Sequence, residues 1–193
     1  MLTTVFSTAR TGSTTFVQGL GIDIWFPHDH PGARTNEYYN FFDPANQQAL
    51  VEKFHKKLKD KVELDDQDIV IKVIVAQLSH NLHIADDIVN MSGKVYHTVR
   101  KDYQAQLKSC VHASTTSQYQ IRDSKTATTT DAVIEQFHNS LTRSITNHSN
   151  IYLKHGGEVI VLEDRVQNRY PNPPSFSEDL HWPQFDTASK FNI

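Results

Sequence analysis

DIVIKVIVAQL, residues 68–78, is an almost continuous run of apolar and β-branched residues. Such a run is typical of a strand that other elements cover on both faces, as happens in a parallel sheet. Similar but shorter runs occupy residues 2–7, 94–99 and 158–164. These segments are predicted to be strands of one sheet, with residues 68–78 in a central position.

Segments with helical character separate these runs. Residues 43–62 are predicted to form the clearest helix, because Leu50, Phe54 and Leu58 repeat every four residues on one face. Further segments that fit a helix are residues 12–20, 80–89, 102–113 and 131–153. Strands that alternate with helices predict an α/β fold with an open, mostly parallel sheet and helices on both faces. Ligands of such sheets bind beyond the carboxyl ends of the strands.

The composition is that of an ordinary globular chain. One domain is predicted over residues 1–167, followed by a proline-rich, irregular C-terminal tail, residues 168–193. The net charge of -3 provides no basic surface for nucleic acid, and no stretch reaches the roughly 20 apolar residues of a membrane-spanning helix. The single cysteine, Cys110, cannot form an internal disulfide and fits a reducing compartment. We therefore expect a cytoplasmic protein without a nucleic-acid or membrane partner, with a homodimer as one option for its oligomeric state.

Residues 8–16, TARTGSTTF, follow the first predicted strand and have the composition of an anion site. A loop that leads from a strand into a helix offers backbone N–H groups to phosphate or sulfate. Gly12 would let the backbone approach the anion, and Arg10 would add a fixed positive charge. Hydroxyl donors would come from Ser13, Thr14 and Thr15. Because serine stands where nucleoside-triphosphate loops have a lysine, an ATPase or kinase is disfavoured.

The residues Arg10 to Thr14 resemble the R-[ST]-G-[ST]-[ST] loop of sulfotransferases that use 3′-phosphoadenosine 5′-phosphosulfate (PAPS). A second stretch, VYHTVRKDYQAQLKS at residues 95–109, is similar to that family's strand, basic residue, aspartate and helix ending in serine. Its form is closest to the bacterial carbohydrate sulfotransferases, including those that act on trehalose. The resemblance implies a P-loop-like fold and a 3′-phosphate held by Ser109 with either Arg100 or Lys101. It also implies a nucleotide loop made of Arg10, Thr11, Gly12, Ser13, Thr14 and Thr15.

The same resemblance implies a candidate for the base that takes the proton of the acceptor hydroxyl. NEYYNFF, residues 36–42, resembles a segment in which the carbohydrate group has a glutamate between aromatic residues, which makes Glu37 the first candidate. His28, Asp29 and His30 are alternatives. The sequence HDH formed by these three residues could instead ligate a metal, but no further ligand spacing supports a metal site, and none is expected.

Two further segments resemble the family, and two features depart from it. The run around Lys72 resembles the family's strand that contains a lysine, and VIVLEDRV at residues 159–166 resembles its late strand ending in acidic residues. Ile74 stands where cytosolic members have a catalytic histidine, and their late G-x-x-G-x-W-K loop is missing from the sequence. The grip on the nucleotide from the C-terminal side is therefore expected to differ.

The resemblance implies transfer of a sulfuryl group from PAPS to a hydroxyl of a carbohydrate or another small hydroxylated acceptor. The 3′,5′-bisphosphate would be the second product, and no metal would be required. Two alternatives remain open at this point. A catalytically inactive relative would bind PAPS or another nucleotide without turnover, and a phosphotransferase with a variant P-loop would require magnesium and ATP.

Overall fold

The computed structural model describes residues 1–25, 47–64, 67–78, 81–116, 127–165, 176 and 180–193. Within these ranges the elements, in chain order, are β1 (Leu2–Ser7), α1 (Ser13–Gly19), β2 (Asp23–Ile24), α2 (Gln47–Leu64), β3 (Ile69–Ile74), α3 (His83–Met91), β4 (Ser92–Val99), α4 (Tyr103–Thr116), α5 (Asp131–His155), β5 (Glu158–Val161) and α6 (Leu162–Arg165). Two short 3-10 helices occupy Val75–Leu78 and Ser189–Phe191.

The strands form one sheet in the order β2-β3-β1-β4-β5, and every neighbouring pair is parallel. The predicted α/β fold with an open parallel sheet is confirmed. The middle strand is β1, and β3 is the interior strand beside it, although the sequence favoured the 68–78 segment for the centre. In the register of the sheet, Val5 of β1 lies level with Lys72 of β3 and Tyr96 of β4.

Helices cover both faces of the sheet. Alternate residues of a strand point to opposite faces, and the residues of β1 accordingly belong to two apolar clusters. On one face, Val5 and Val70 contact Val17 of α1. The cluster on the other face contains Leu2, Phe6, Ile71 and Val73 of the sheet with Phe54 and Leu58 of α2 and Ile84 and Ile88 of α3.

A further apolar cluster joins the carboxyl half of the chain to the sheet. Val99 and Val161, the last residues of β4 and β5, pack against α4 and α5. The helices contribute Leu107 and Val111 of α4 with Ile134, Leu141 and Ile145 of α5. The C-terminal segment adds Phe191, which is 1% exposed, and the half-buried Trp182 and Phe185. The described part of the predicted tail therefore packs on the α/β core.

The longest helix in the described ranges is α5, with 25 residues. The side chain of Thr130 caps its start by accepting a hydrogen bond from the amide of Val133, and the helix ends at Gly156, whose positive φ of 71° suits glycine. One side of α5 is apolar and the other polar, as in helices that lie on a protein surface. None of the helices in the described ranges is long and apolar enough to cross a membrane.

Several elements end at other residues than predicted, and two strand ends follow from the pairing of the sheet. The segment 68–78 is a strand only as far as Ile74, because Ser7, its last partner on β1, ends the ladder there. The segment 158–164 is a strand only as far as Val161, which pairs with Val99 at the end of β4. The helix α4 continues through the polar segment after residue 113 as far as Thr116, and the hydroxyls of Thr115 and Thr116 donate to carbonyls one turn earlier. The two-residue strand β2 was not predicted at all.

Candidate functional site

The strand order reverses between β1 and β4, and the carboxyl edge of the sheet at this reversal is the position where a ligand crevice is expected. After β1 the chain passes through residues 8–12 into α1 and continues to β2 on one side of the sheet. After β4 it passes through residues 100–102 into α4 and continues to β5 on the other side. Open parallel sheets bind ligands at such a reversal, where the two loops diverge and leave room between them. The two segments that the sequence singled out therefore flank the position that the topology favours.

The loop after β1 is bent by two residues with left-handed backbone conformations, Arg10 with φ 65° and Gly12 with φ 71°. For a residue other than glycine this conformation costs about 1–2 kcal/mol. A Cβ atom at position 12 would also overlap Cδ1 of Leu162. The shape of the loop therefore needs glycine at position 12, whereas Arg10 keeps its unfavourable conformation because its side chain is fixed on α4.

The side chain of Arg10 joins the loop to α4. Its Nε donates a hydrogen bond of 2.8 Å to Oγ of Ser109, a residue 99 positions later in the sequence. Ser109 is 6% exposed, so this bond lies at the buried wall of the crevice. The contact brings together the two segments that the sequence analysis assigned to opposite ends of one nucleotide.

Two buried polar residues fasten the loop further. Gln106, on α4 one turn before Ser109, donates through Nε2 to Oγ1 of Thr8 at 3.0 Å and to the carbonyl of Ala9 at 2.6 Å. Thr11 shares a hydrogen bond of 3.0 Å with Thr98 of β4, between the two Oγ1 atoms. The loop is thus attached to both elements on the far side of the crevice, and its conformation is set before any ligand arrives.

Lys72 is a site residue that the sequence analysis did not assign. It lies in the middle of β3, is 1% exposed, and donates through Nζ to Oγ1 of Thr14 at 2.8 Å. A buried ammonium group is costly, so a chain rarely keeps one without a polar task. Its signals in the sequence are a lysine within an otherwise apolar strand and the resemblance of that strand to the lysine-containing strand of the family. Lys72 therefore brings an ammonium group from β3 to Thr14, next to the position where serine replaces the lysine of nucleoside-triphosphate loops.

Arg100 and Lys101 both lie opposite acidic side chains that follow β5. Nε of Arg100 is 3.5 Å from Oε1 of Glu163, and Nζ of Lys101 is 3.9 Å from Oδ1 of Asp164. The Glu163 carboxylate also accepts hydrogen bonds from the backbone amides of Lys101 at 3.1 Å and Asp102 at 3.2 Å. A carboxylate of the protein therefore occupies a position suited to an anion at the start of α4.

The charges that act on the buried thiol of Cys110 indicate that Arg10 and Arg100 lie in the same region. Burial raises the pKa of its thiol to about 12, and the positive charges of Arg10 and Arg100 oppose this rise. Both guanidinium groups therefore lie close enough to act on one buried atom. The side chain of Arg100 is 22% exposed and that of Lys101 is 46% exposed, so burial favours Arg100 as the cation of this site. The thiol itself stays protonated near neutral pH and is not a nucleophile.

The other predicted loop residues differ in exposure. Ser13 is buried, Thr14 is partly buried and Thr15 is exposed. α1 spans only seven residues, and a helix dipole is the sum of aligned peptide dipoles. The positive potential at this loop therefore comes more from side-chain cations than from the start of α1. The sequence predicted a larger share for the backbone N–H groups of the helix start.

The candidates for the base, Glu37, His28, Asp29 and His30, lie outside the described residues, so their predicted role stays a prediction. The HDH sequence of the alternative metal site lies outside them as well. In the described ranges, no group of three or more His, Cys, Asp or Glu side chains could hold a metal ion.

Arg10 thus reaches Ser109 of α4 on one side of the loop after β1, Lys72 of β3 contacts Thr14 of α1 on its other side, and Arg100 lies at the end of β4. No protein-family model matches the chain, and no curated protein matches its sequence significantly. The assignment of a function therefore depends on the chemistry of these side chains and on their arrangement. Cationic side chains with hydroxyl donors, at the carboxyl edge of a parallel sheet, suit a ligand with more than one phosphate or sulfate group.

Proposed function

We propose that the protein is a sulfotransferase that moves a sulfuryl group from PAPS to a hydroxyl of a carbohydrate or another small hydroxylated acceptor. The observation that carries this proposal is the hydrogen bond between Arg10 and Ser109. It joins the loop that resembles the sulfate end of a PAPS site to the serine that resembles its 3′-phosphate end. Two separate sequence resemblances therefore meet at one crevice.

The reaction requires groups that the crevice can supply. The acceptor oxygen forms a bond to sulfur while the bond from sulfur to the 5′-phosphate oxygen breaks, which leaves adenosine 3′,5′-bisphosphate. Arg10 and Lys72 are placed to stabilise negative charge on the leaving phosphate and on the sulfuryl oxygens. The acceptor proton goes to a base, for which Glu37 and His28 remain the candidates from the sequence. Fixed cations and alignment of the reacting atoms supply most of the rate in such transfers.

Arg100 and Ser109 would hold the 3′-phosphate. A guanidinium can bind two phosphate oxygens at once, and a serine hydroxyl adds a further hydrogen bond. Arg100 is preferred over Lys101 because its side chain is the more buried of the two, 22% exposed against 46%. Recognition of the 3′-phosphate would distinguish PAPS from ordinary adenine nucleotides.

The test is binding of adenosine 3′,5′-bisphosphate, followed by transfer of labelled sulfate from PAPS to a panel of sugars. At a hundredfold excess over its Kd the bisphosphate is expected to stabilise the fold by about 2.7 kcal/mol, a rise in melting temperature of roughly 5–10 °C for a chain of this size. Adenosine 5′-monophosphate, which lacks the 3′-phosphate, should give a much smaller rise. Absence of any rise with the bisphosphate would count against the proposal.

One observation keeps phosphoryl transfer as a second candidate. Lys72 places an ammonium group on Thr14 and so supplies a cation near the loop where serine replaces the usual lysine. Magnesium-dependent hydrolysis of ATP, with no transfer from PAPS, would favour this second function. Binding of the bisphosphate without transfer to any acceptor of the panel would instead indicate the inactive relative.

Glu163→Gln is expected to tighten binding of the bisphosphate by about three- to tenfold, equivalent to roughly 0.6–1.4 kcal/mol. The carboxylate faces Arg100 at 3.5 Å and would repel an arriving phosphate, whereas the amide oxygen of glutamine can still accept from a backbone N–H. Isothermal titration calorimetry measures the change. Asp164→Asn is the matched control and should have a smaller effect, because Asp164 faces the exposed Lys101. Equal or weaker binding by Glu163→Gln would show that Glu163 does not compete with the ligand.

A further inference from the structure

Two histidines with no part in the proposed reaction are hydrogen-bonded to each other in the core. His97 of β4 and His148 of α5 are both 0% exposed. Nδ1 of His97 lies 3.0 Å from Nε2 of His148, and Nε2 of His97 lies 3.0 Å from the carbonyl oxygen of Gly156, where α5 ends. The pair therefore connects the sheet, α5 and the turn that leads into β5.

The position of each proton on this pair follows from the partners. A carbonyl only accepts hydrogen bonds, so Nε2 of His97 carries a proton and Nδ1 of the neutral ring is an acceptor. Nε2 of His148 must then carry a proton and donate it to His97. Nδ1 of His148 is left as a buried acceptor without a hydrogen-bond partner in the described part of the chain. The arrangement is complete only while both imidazoles are neutral.

The surroundings of the pair are mainly aromatic. The ring of His97 stacks on Phe6 at 5.6 Å and meets Tyr152 edge-on at 5.4 Å, and the ring of His148 meets Phe191 at 4.9 Å. The titratable groups on the packed elements include Tyr152, Lys154 and His155 of α5, Asp86 and Asp87 of α3, Glu158 of β5, and Asp186 and Lys190 of the C-terminal segment. His155 disfavours a charge on His97 and is itself bound to Asp86 at 2.6 Å. Within the described residues, Nδ1 of His148, the atom that would take an added proton, has no hydrogen-bond partner.

Phe191 closes this enclosure from the C-terminal segment. It is 1% exposed and covers both His148 and Tyr152. In the described residues, the hydrogen bonds of residues 186–193 all lie within that segment, such as Lys190 N–H to Thr187 and Phe191 N–H to Ala188. Apolar packing alone attaches the segment to α5. Displacing it would expose His148 to water without breaking the sheet.

We propose that the His97–His148 pair is an acid-operated latch, which holds residues 186–193 on α5 near neutral pH and releases them in weak acid. Protonation of the pair places a cation among aromatic rings and puts a second N–H on His148, at the nitrogen that has no hydrogen-bond partner in the described residues. Lifting Phe191 off the ring hydrates that group. The rest of the fold keeps its hydrogen bonds in this opening.

The direction of the pH dependence follows from the two imidazoles. Burial lowers the pKa of His97 from its ordinary value near 6.5 to about 4 and lowers the pKa of His148 well below its ordinary range. The closed form therefore binds fewer protons than the open form, so closure is fully favoured above pH 6.5 and weakens as the pH falls toward 4. Lys154 and His155 lower the pKa of Asp86, and Ser189 lowers that of Asp186, so both carboxylates stay charged through most of this interval.

Hydrogen exchange of the full-length protein, measured by mass spectrometry between pH 7.5 and 4.5, tests the latch. After correction for the intrinsic pH dependence of amide exchange, the opening constant of residues 186–193 should rise by up to about tenfold per pH unit below pH 6.5 for each proton taken up. The amides of β1 and β3 should stay protected over the same interval. Unchanged protection of residues 186–193 down to pH 4.5 would overturn the proposal.

His148→Gln should weaken the pH dependence of the opening constant of this segment, because the glutamine amide can donate to His97 but does not titrate, which leaves His97 as the remaining imidazole. His155→Gln is the matched control and should keep the acid-induced opening. If His148→Gln does not fold, Phe191→Ala provides the second test, because it should already open residues 186–193 at pH 7.5. Release of the segment at the same pH in His148→Gln as in the wild type, or full protection at pH 7.5 in Phe191→Ala, would overturn the latch.

Discussion

Arg10→Ala is expected to remove about half or more of the rise in melting temperature that a hundredfold excess of adenosine 3′,5′-bisphosphate over its Kd gives to the wild-type protein. Arg10 is tied to Ser109 on the wall of the crevice, where its guanidinium can reach the phosphate of the bound nucleotide. Loss of hydrogen bonds from a charged donor costs about 1.5–3 kcal/mol, which corresponds to binding weakened by roughly 10- to 150-fold. Differential scanning fluorimetry over a series of bisphosphate concentrations measures the effect.

Two further variants separate loss of binding from loss of structure. Arg143→Ala removes an exposed arginine on α5 and should leave the ligand-induced rise unchanged. Arg10→Lys keeps the charge but cannot bind two oxygens in a fixed plane, so it should bind the bisphosphate with intermediate affinity. Wild-type affinity in Arg10→Ala would mean that the loop after β1 does not contact the nucleotide.

Much of the fold could be predicted from local patterns. The apolar stripe of α5 was recognisable over residues 131–153, and the helix spans Asp131–His155. Asp102 was predicted to open α4, and its Oδ1 accepts a hydrogen bond of 2.8 Å from the amide of Ala105. Such features depend on residues a few positions apart, which a sequence displays directly.

The ends of the strands and part of the site depend on long-range register, which a sequence does not display. Lys72 interrupts an apolar run. The register that sets it beside Val5 of β1 and its contact with Thr14 of α1 explain why a lysine is buried there. Glu163 was predicted within the last strand. It lies beyond that strand because β5 stops at Val161, level with the last residue of β4, and this places its carboxylate on Arg100.

Lys72→Met is expected to remove sulfuryl transfer while leaving the fold as stable as the wild type or more stable. Lys72 is 1% exposed, and the cost of burying an ammonium group is about several kcal/mol before its hydrogen bonds offset it. Methionine has a similar length and no charge, so it fills the space without that cost. Loss of a fixed cation at the transferred group should lower the rate by about 10²- to 10³-fold. Urea unfolding and single-turnover transfer of labelled sulfate measure the two effects on the same preparation.

The contrast between stability and turnover makes this variant decisive for the role of Lys72. Replacing a purely structural lysine would lower the free energy of unfolding of the protein. Replacing a lysine that is kept for chemistry lowers the rate of transfer and leaves the free energy of unfolding unchanged or higher. Lys94→Met is the matched control, since Lys94 is an exposed lysine on the same face of the sheet, one strand beyond β1, and it should change neither quantity. Turnover retained in Lys72→Met would exclude the ammonium group from the reaction. Turnover and stability lost together would instead assign Lys72 to the support of Thr14 and the loop.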